Sequence, residues 1–497
     1  MRRRALLASL SIGLAACTSL LGDFTVDSTP GPTEQDATTA DVLAESSVPP
    51  DDAGADAPND AETDEAAPVP IAVATNSIAT CATVAYFRGT PKEKQISLCW
   101  GAGNDSPAFL GAAQGDPQVN GFMRPRLPNT NPPAYLTFDA ISGNARGLAF
   151  MGRIAAGEPQ GAATAYCWGS NTQAECGLAT NGMVPPTALA PSSGGLRVAN
   201  GALAPYHGCV ISQGRLYCWG QNNWCEVRSG STSSCNSADP QNPFVRFVED
   251  QSAGVIGGGG ASSQPAYEFD RFAGGYDHSC VVYRKAGATT AVVECWGKNE
   301  SGQTGQPAGP ASFIASPTEV VGTDTSAGFG NLELASGATH SCAIVTKNNL
   351  RCWGKNDKGQ AGPGKPTPAA PATVELPPAL TGTLTGLALG GDVSCVVTTA
   401  GVGAPRAVCF GDKNGPRGRA PADADKDFGL VDGVKDVIQI AVGGDHACAI
   451  ARGLAQLPTA PHSLFCWGKN DQKQVDPSSP IQAFPTPHRV VFPSSAP

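Results

Sequence analysis

The sequence has little charge and few signatures of catalysis. Asp, Glu, Lys and Arg make up 15% of the 497 residues, and Lys and Arg form no cluster that would attract nucleic acid. Neither a G-x-S-x-G nor an H-E-x-x-H pattern occurs, which argues against the hydrolases and zinc peptidases that use those motifs. No stretch shows a sustained 3.6-residue apolar period, so strands are favoured over helices.

Residues 18–70 lack Lys and Arg altogether. They hold thirteen acidic residues and seven prolines, a composition that cannot bury enough apolar surface to fold. We therefore predict a disordered tether with a flexible reach of about 40 Å. The chain beyond residue 70 has equal numbers of acidic and basic residues, so this domain is close to neutral.

A short motif, Cys-Trp-Gly or a one-residue variant of it, occurs seven times. Successive copies are 68, 51, 77, 57, 57 and 57 residues apart, and a period in this range is typical of stacked or radially repeated units. The copies begin at Cys99, Cys167, Cys218, Cys295, Cys352, Cys409 and Cys466.

Each repeat has the pattern of a β-hairpin followed by a glycine-rich turn. In the clearest copy, residues 332–337 and 340–345 are β-prone, a polar turn follows at 347–349, and residues 350–354 end in Cys-Trp-Gly. The glycines in residues 356–362 suit a turn that needs positive φ. Seven such units predict an all-β protein.

The pattern Gly-x-x-His-Ser-Cys-Ala at 337–343, followed by Cys-Trp-Gly-x-Asn-x-x-Gly-Gln-x-Gly at 352–362, resembles the regulator of chromosome condensation repeat. The resemblance covers roughly residues 71–497 and implies a seven-bladed β-propeller. Residues 485–491 resemble the strand missing before residue 71, so we expect the C-terminal strand to complete the first blade. The name-giving members bind chromatin and act on a small GTPase, and we transfer none of their functional residues.

The N-terminus has the features of an export signal. Three arginines precede a short apolar run, and residues 14–17 read Leu-Ala-Ala-Cys, which resembles the bacterial lipobox. This implies a signal peptide at 1–16, lipidation of Cys17 and a tether at 17–70. Thr18, the residue directly after this cysteine, resembles that of bacterial lipoproteins that are passed to the outer membrane. The protein would then face either the periplasm or the cell surface. An ordinary signal peptide with a chance cysteine is the alternative.

Removal of Cys17 leaves sixteen cysteines, an even number in an exported chain. Six pairs place one cysteine on each arm of a predicted hairpin, and two further pairs lie in a turn and a loop. The second repeat lacks the first hairpin cysteine, and our alignment places Leu148 there. The predicted disulfides are Cys81–Cys99, Cys167–Cys176, Cys209–Cys218, Cys225–Cys235, Cys280–Cys295, Cys342–Cys352, Cys395–Cys409 and Cys448–Cys466.

Four histidines precede a hairpin cysteine by two residues, so His and Cys share a strand face and could together ligate zinc. Because the cysteines have covalent partners, we favour a structural histidine that closes a hydrogen bond within its blade, and we predict no metal and no cofactor. These histidines are His207, His278, His340 and His446.

Asp423, Asp425 and Asp427 alternate as in a calcium loop. However, Gly429 comes one residue late and Val434 replaces the bidentate acid, so a solvated acidic turn is favoured over a calcium site.

Trp224 is the one tryptophan outside the Cys-Trp-Gly motifs. It lies beside Cys225 in the 77-residue step, where extra length goes to loops on a propeller face. A rigidly held, exposed Trp is a typical binding anchor, and packing beneath its own loop is the alternative.

We therefore predict a monomeric, non-enzymatic binding scaffold that engages an envelope or extracellular protein, or a glycan, through a loop face. We expect no binding of nucleic acid and membrane attachment through the lipid alone. Two alternatives stay open: an extracytoplasmic polysaccharide hydrolase or lyase with carboxylates near the propeller axis, and a purely structural coat protein.

Overall fold

The computed structural model describes residues 67–89, 93–102, 107–143, 147–154, 164–178, 180–189, 198–212, 215–227, 235, 245–246, 267–285, 287–310, 312–323, 332–367, 369–400, 403–419, 427–456 and 459–494. The predicted signal peptide, Cys17, almost all of the tether, Asp423 and Asp425 lie outside these residues. The two helices in the described part, Pro107–Leu110 and Pro378–Leu380, are short 3-10 turns. Neither is long and apolar enough to cross a membrane.

The described strands form seven antiparallel sheets, which are the blades of a propeller. Blade 1 consists of β1 (Val69–Thr75), β2 (Ala79–Tyr86) and β3 (Lys94–Gly101). Blade 2 consists of β4 (Ala140–Gly143), β5 (Ala149–Ile154), β6 (Thr164–Ser170) and β7 (Met183–Ala188). Blade 3 consists of β8 (Val198–Leu203), β9 (His207–Ser212), β10 (Arg215–Gly220) and β11 (Val245–Arg246). Blades 4 and 5 are β12 (Tyr267–Gly274), β13 (His278–Lys285), β14 (Val292–Lys298) and β15 (Phe313–Glu319); β16 (Glu333–Ser336), β17 (His340–Thr346), β18 (Asn349–Gly354) and β19 (Ala369–Thr373). Blades 6 and 7 are β20 (Thr383–Gly390), β21 (Val393–Thr399), β22 (Arg406–Gly411) and β23 (Gly429–Leu430); β24 (Val434–Val442), β25 (His446–Gly453), β26 (Ser463–Lys469) and β27 (Ala483–Arg489). The predicted all-β, seven-bladed propeller is confirmed.

Each blade is a meander whose strands follow one another from the axis outward. Consecutive strands are antiparallel, so the turn between the first and second strands and the loop between the third and fourth lie at the same end of the propeller. We call this end the loop face. The opposite end, with the turns between second and third strands and the connections to the next blade, is the hairpin face.

The hairpin of the second and third strands sets cysteine directly opposite cysteine in six blades. Their Cα atoms are 4.0 to 4.2 Å apart. The Cα atoms of Cys167 and Cys176 are 5.3 Å apart, and those of Cys225 and Cys235 are 4.8 Å apart. All eight sulfur pairs are therefore brought together.

Blade 2 corrects our alignment. The residue opposite Cys167 is Met151, and Leu148 precedes the strand. The error arose because the turn between β4 and β5 is longer than its counterpart between β16 and β17. Met151 is buried at this position, so an apolar side chain stands where the other six blades have the first cysteine of the cross-strand pair.

Ring closure differs from the expected strand exchange. The C-terminal strand β27 pairs with β26 in blade 7 and does not complete blade 1. At the outer edge of β3, Cys99 instead forms an isolated β-bridge with Met123, which belongs to the insertion that follows β3. The physical reason is that the Pro-x-x-Val strand, seen in β15, pairs with the Cys-Trp-Gly strand before it, so one repeat makes one blade.

Side chains join the last blade to the first without a shared strand. The Gln439 amide donates to the Val73 carbonyl at 3.1 Å and accepts from the Val73 N–H at 3.2 Å. Beyond β27, the Phe492 ring packs 6.2 Å from that of Trp100 and 5.6 Å from that of Phe122. This mixture of hydrogen bonds and aromatic packing closes the ring.

The motif tryptophans also link neighbouring blades. All six, together with Phe410 in blade 6, are fully buried. In four cases the indole Nε1 donates to a backbone carbonyl in the loop between third and fourth strands of the preceding blade. These bonds run from Trp219 to Glu175 (2.6 Å), Trp296 to Glu226 (2.9 Å), Trp353 to Gln303 (3.0 Å) and Trp467 to Pro416 (2.8 Å).

Each motif histidine contacts a hydroxyl in the next blade, which corrects the expectation of a bond within its own blade. The His Nε2 to hydroxyl distances are His207–Ser279 2.8 Å, His278–Ser341 2.9 Å, His340–Ser394 2.9 Å and His446–Thr80 2.8 Å. Ser279, Ser394 and Thr80 donate onward to loop carbonyls at 2.7 to 2.8 Å. The hydroxyl oxygen must then accept, so Nε2 carries the hydrogen of a neutral imidazole.

The three seams without a histidine also lack the hydroxyl. At the equivalent positions the pairs are Ala79 with Phe150, Ala149 with Gly208, and Val393 with Ala447. A lone buried imidazole or hydroxyl would lose its hydrogen bond, so both members change together. This pairing is what makes the histidines structural.

Candidate interaction surface

The loops between third and fourth strands share a built-in scaffold. In five blades the asparagine that follows the Cys-Trp-Gly strand accepts, through its side-chain oxygen, a backbone N–H five residues later. The acceptors are Asn171, Asn222, Asn299, Asn356 and Asn470, at 2.8 to 3.2 Å. The loops on this face are therefore rigid platforms, because their backbone polar groups are satisfied locally.

The residue four positions after this asparagine is Gln or Glu, and its side chain folds back on the loop. Its oxygen accepts the N–H two residues earlier, as in Gln303 to Ser301 (2.9 Å) and Gln360 to Lys358 (2.9 Å). In blade 3 the equivalent acceptor is Glu226, which takes the Trp224 N–H at 2.6 Å. Glu226 therefore places a carboxyl group at a position where blades 4, 5 and 7 have the neutral amide of a glutamine.

Trp224 stands at a loop position that other blades fill with polar side chains: Gln173, Ser301, Lys358 and Gln472. Its side chain is half-buried, so it is neither a free anchor nor sequestered beneath its own loop. The indole lies 6.2 Å, centroid to centroid, from Phe313 of blade 4. The Lys298 ammonium lies 4.8 Å from the indole centroid, in cation–π geometry.

Two tyrosines extend the aromatic surface along the same face. Tyr206 and Tyr276 lie in the turns between first and second strands of blades 3 and 4, and their rings stack at 5.8 Å with an interplanar angle of 18°. Tyr206 is 37% exposed, which makes it one of the few large exposed rings of the described residues. Burial, and then the neighbouring Tyr276, raises the pKa of Tyr206, so it stays a neutral donor.

Charged and amide groups fill the space between the two aromatic pairs. The Gln221 amide donates to Glu226 at 3.2 Å and to Asp277 at 3.3 Å. Burial raises the pKa of Glu226 to about 7 and also raises the pKa of Asp277. Lys298 lies 3.9 Å from the Asp277 carboxylate and 3.2 Å from that of Glu300.

We name this group the blade 3/4 patch. It joins two rigid loops and two turns across one seam, and it offers aromatic faces beside carboxylates and one ammonium. Its members are Tyr206, Gln221, Trp224, Glu226, Tyr276, Asp277, Lys298, Glu300 and Phe313.

Our sequence reasoning found only Trp224 of this patch. A usable signal was present, because the residue before the motif histidine is Asp277, Thr339 or Asp445 in three blades and Tyr206 in the fourth. Comparing repeats position by position would have found the tyrosine. No sequence signal indicated that Lys298 and Phe313, in blade 4, would contact a residue in the loop of blade 3.

The central channel gives little support to chemistry along the axis. It has a volume of about 250 Å³ and is lined by the first strands of all seven blades, mainly with small or apolar side chains. Asp270 and Glu333 lie on first strands, and burial raises the pKa of each. Arg271 lies between them, 3.8 Å from Asp270 and 3.9 Å from Glu333, so the pair is partly neutralised.

The possible metal ligands are engaged elsewhere. Asp427 accepts from both Arg417 and Arg419 at 2.8 Å, an arrangement that leaves a cation little to bind at this carboxylate. The motif histidines are committed to hydroxyl partners through Nε2, as described above. Among the described residues, no group of three or more His, Cys, Asp or Glu side chains could hold a metal ion.

Comparison with known proteins supports the architecture. Residues 333–360 match the regulator of chromosome condensation (RCC1) repeat. Human WBSCR16 has a similar structure, with a TM-score of 0.56 and 17% identity over 80% of this chain and 93% of that one. Prp20p from Saccharomyces cerevisiae gives a TM-score of 0.55 and 18% identity over 80% and 85%.

A third structure, yeast RCC1 (Prp20) bound to Kap60, gives a TM-score of 0.52 and 16% identity over 92% of this chain and 91% of that one. At such identities the likeness concerns the fold, and function must be argued from the site. The chain is therefore a seven-bladed β-propeller in which residues 333–360 match the regulator of chromosome condensation repeat.

Proposed function

We propose that this protein is a lipid-anchored scaffold of the bacterial envelope that binds a partner protein through the blade 3/4 patch. The observation that carries the proposal is the grouping of four aromatic rings at one seam of the loop face. Half-buried aromatic side chains held by a rigid frame are typical of the residues that dominate binding energy in protein interfaces.

The scaffold supports this use because its loops lose little freedom when a partner binds. The Asn and Gln side chains fix the loop backbone, and cross-strand sulfur pairs lie beneath them in the hairpins. A preorganised surface avoids much of the ordering cost of association.

Trp224→Ala is expected to weaken partner capture by about 10- to 100-fold, the range seen when an aromatic anchor is truncated. The measurement is a pull-down from envelope extracts with quantitative mass spectrometry. Gln472→Ala is the matched control, because it removes the side chain at the same repeat position in blade 7. Equal recovery of every partner with wild type and Trp224→Ala would contradict the proposal.

Lipid anchoring rests on the Leu-Ala-Ala-Cys pattern and on the many cysteine pairs, which suit an oxidising, extracytoplasmic compartment. Cys17→Ser is expected to move the protein from the membrane fraction to the soluble extracytoplasmic fraction, because the lipid is the proposed attachment. Fractionation followed by mass spectrometry of the N-terminal peptide measures both location and modification. An unmodified Cys17 in the wild-type peptide would refute the anchor.

A polysaccharide hydrolase or lyase stays a second candidate, because Asp270 and Glu333 are two carboxylates of raised pKa on the first strands of blades 4 and 5, both close to Arg271. A general acid with a raised pKa suits glycoside cleavage. This candidate requires that envelope polysaccharide be degraded by wild type and not by the Asp270→Asn, Glu333→Gln double variant. The structural coat protein is less favoured, since the blade 3/4 patch makes the loop face non-uniform.

A further inference from the structure

The Lys298 ammonium occupies a cation site that is formed by side chains of blades 3 and 4. Its ammonium lies 4.8 Å from the Trp224 ring centroid, 3.2 Å from Glu300 and 3.9 Å from Asp277. An aromatic face with two carboxylates at its rim is a favourable environment for an alkylammonium or guanidinium group. The lysine side chain is 25% exposed, so solvent and ligands can reach it.

The site does not come from the repeat alone. Blade 7 has the same lysine and aspartate positions, with Lys469 3.2 Å from Asp445, but both side chains there are about half exposed. Gln472 of blade 7 stands where Trp224 stands in blade 3. The aromatic wall in the blade 3/4 patch is therefore an addition to an ordinary surface ion pair.

The charge balance of the patch favours a positively charged ligand. Without Lys298, the named members of the patch would carry the carboxylates of Asp277 and Glu300 and no basic side chain. Lysine has a flexible four-carbon stem, so its ammonium can swing into solvent at small cost and leave the aromatic face open. The vacated site would then hold unbalanced negative charge beside an indole.

We propose that this site binds an arginine or lysine side chain from a basic segment of the partner protein, and that Lys298 occupies it when the partner is absent. Arginine suits the site best, since its planar guanidinium stacks on an indole while it donates two hydrogen bonds to one carboxylate. The stacked Tyr206 and Tyr276 lie beyond Asp277 and give an extended basic segment a second aromatic contact. This inference rests on the proposed function, because it specifies the chemistry of the partner.

The most direct test asks whether removal of the Lys298 charge strengthens the binding of a basic peptide. The full chain carrying Cys17→Ser is titrated into a fluorescein-labelled peptide of alternating glycine and arginine, followed by fluorescence anisotropy at low ionic strength. Lys298→Met, which keeps the stem and removes the competing charge, should bind the peptide about 3- to 10-fold more tightly. Trp224→Ala should bind it about 10-fold more weakly.

Lys469→Met is the matched control and should leave the affinity unchanged, since it removes the same charge from blade 7. Urea midpoints of all variants verify that each remains folded. Higher salt should weaken binding in every case, because the contact is electrostatic.

Four outcomes would overturn the inference. Weaker binding by Lys298→Met would mean that Lys298 itself contacts the ligand, as for an acidic partner. Equal binding of a glycine–glutamate peptide would remove the charge selectivity. Binding of neutral maltohexaose or chitohexaose that Trp224→Ala abolishes, with no binding of the arginine peptide, would assign the site to glycans. Loss of partner capture by Trp224→Ala in envelope extracts, without arginine-peptide binding, would refute this inference while the proposed function stands.

Discussion

Replacing Cys342 and Cys352 together by alanine is expected to lower the free energy of unfolding by about 2–3 kcal/mol. The two cysteines are ten residues apart, and a cross-link that closes so short a loop restricts the unfolded chain by roughly this amount in the chain-entropy model. Both are fully buried, so loss of sulfur packing adds to the effect. Equilibrium unfolding in urea, monitored by tryptophan fluorescence, measures the change.

Complete reduction before refolding should have a much larger effect, because it removes eight cross-links at once. We expect the reduced chain not to regain native fluorescence in buffer that keeps thiols reduced, whereas the oxidised chain refolds. Native refolding of the fully reduced chain would show that packing and hydrogen bonds suffice.

The free energy of unfolding is expected to fall as the pH drops from 6.5 towards 3, because four histidines are buried without charge. Burial lowers the pKa of His207, His278, His340 and His446 from 6.5 to about 3. The unfolded chain therefore takes up protons below pH 6.5 that the folded chain does not accept until about pH 3. Each histidine thus loses about 2 kcal/mol of its contribution by pH 5, and more below.

Two buried glutamates oppose this loss over part of the range. Burial raises the pKa of Glu226 and of Glu294 from 4.5 to about 7, so between pH 7 and 4.5 the folded chain binds these protons first. Acidification through this window therefore stabilises through the glutamates while it destabilises through the histidines. We expect a shallow decline in stability to about pH 5 and a steep one below, measured by urea unfolding at each pH.

The double variant His278→Val with Ser341→Ala isolates one histidine. It copies the Val393 and Ala447 pair of the blade 6/7 seam and leaves the bond from Trp353 to Gln303 in place. The decline in unfolding free energy between pH 7 and pH 5 should be smaller by about 2 kcal/mol than in wild type. An identical pH profile for both proteins would mean that His278 does not titrate as its burial implies.

The hairpin cysteines illustrate what local spacing can predict. Cys342 and Cys352 lie on two arms joined by a tight turn, so alternation of side chains along a strand and the short turn place their Cβ atoms together. The same reasoning failed at Met151, because it assumed that all turns between first and second strands have equal length. Local arguments hold where the repeat is regular and fail where one turn grows.

The histidines illustrate what local spacing cannot predict. His446 and Thr80 lie 366 residues apart, and His207 and Ser279 lie 72 apart, so nothing between them in the chain indicates contact. A histidine two residues before a buried cysteine was expected to bond within its blade. The neighbouring sheet supplies its partner instead, because strands of adjacent blades pack against one another.

The sequence by itself determined the number of blades, the hairpin in six repeats and the cysteine pairs, since each depends on spacings within one unit of about 57 residues. Only the tertiary structure decided how the ring closes, which hydroxyl meets which imidazole, and that Trp224, Lys298 and Asp277 share one surface. These contacts arise between blades, where the angle at which one sheet packs on the next sets the distances. Such packing is a property of the assembled ring and leaves no periodic signal in a single repeat.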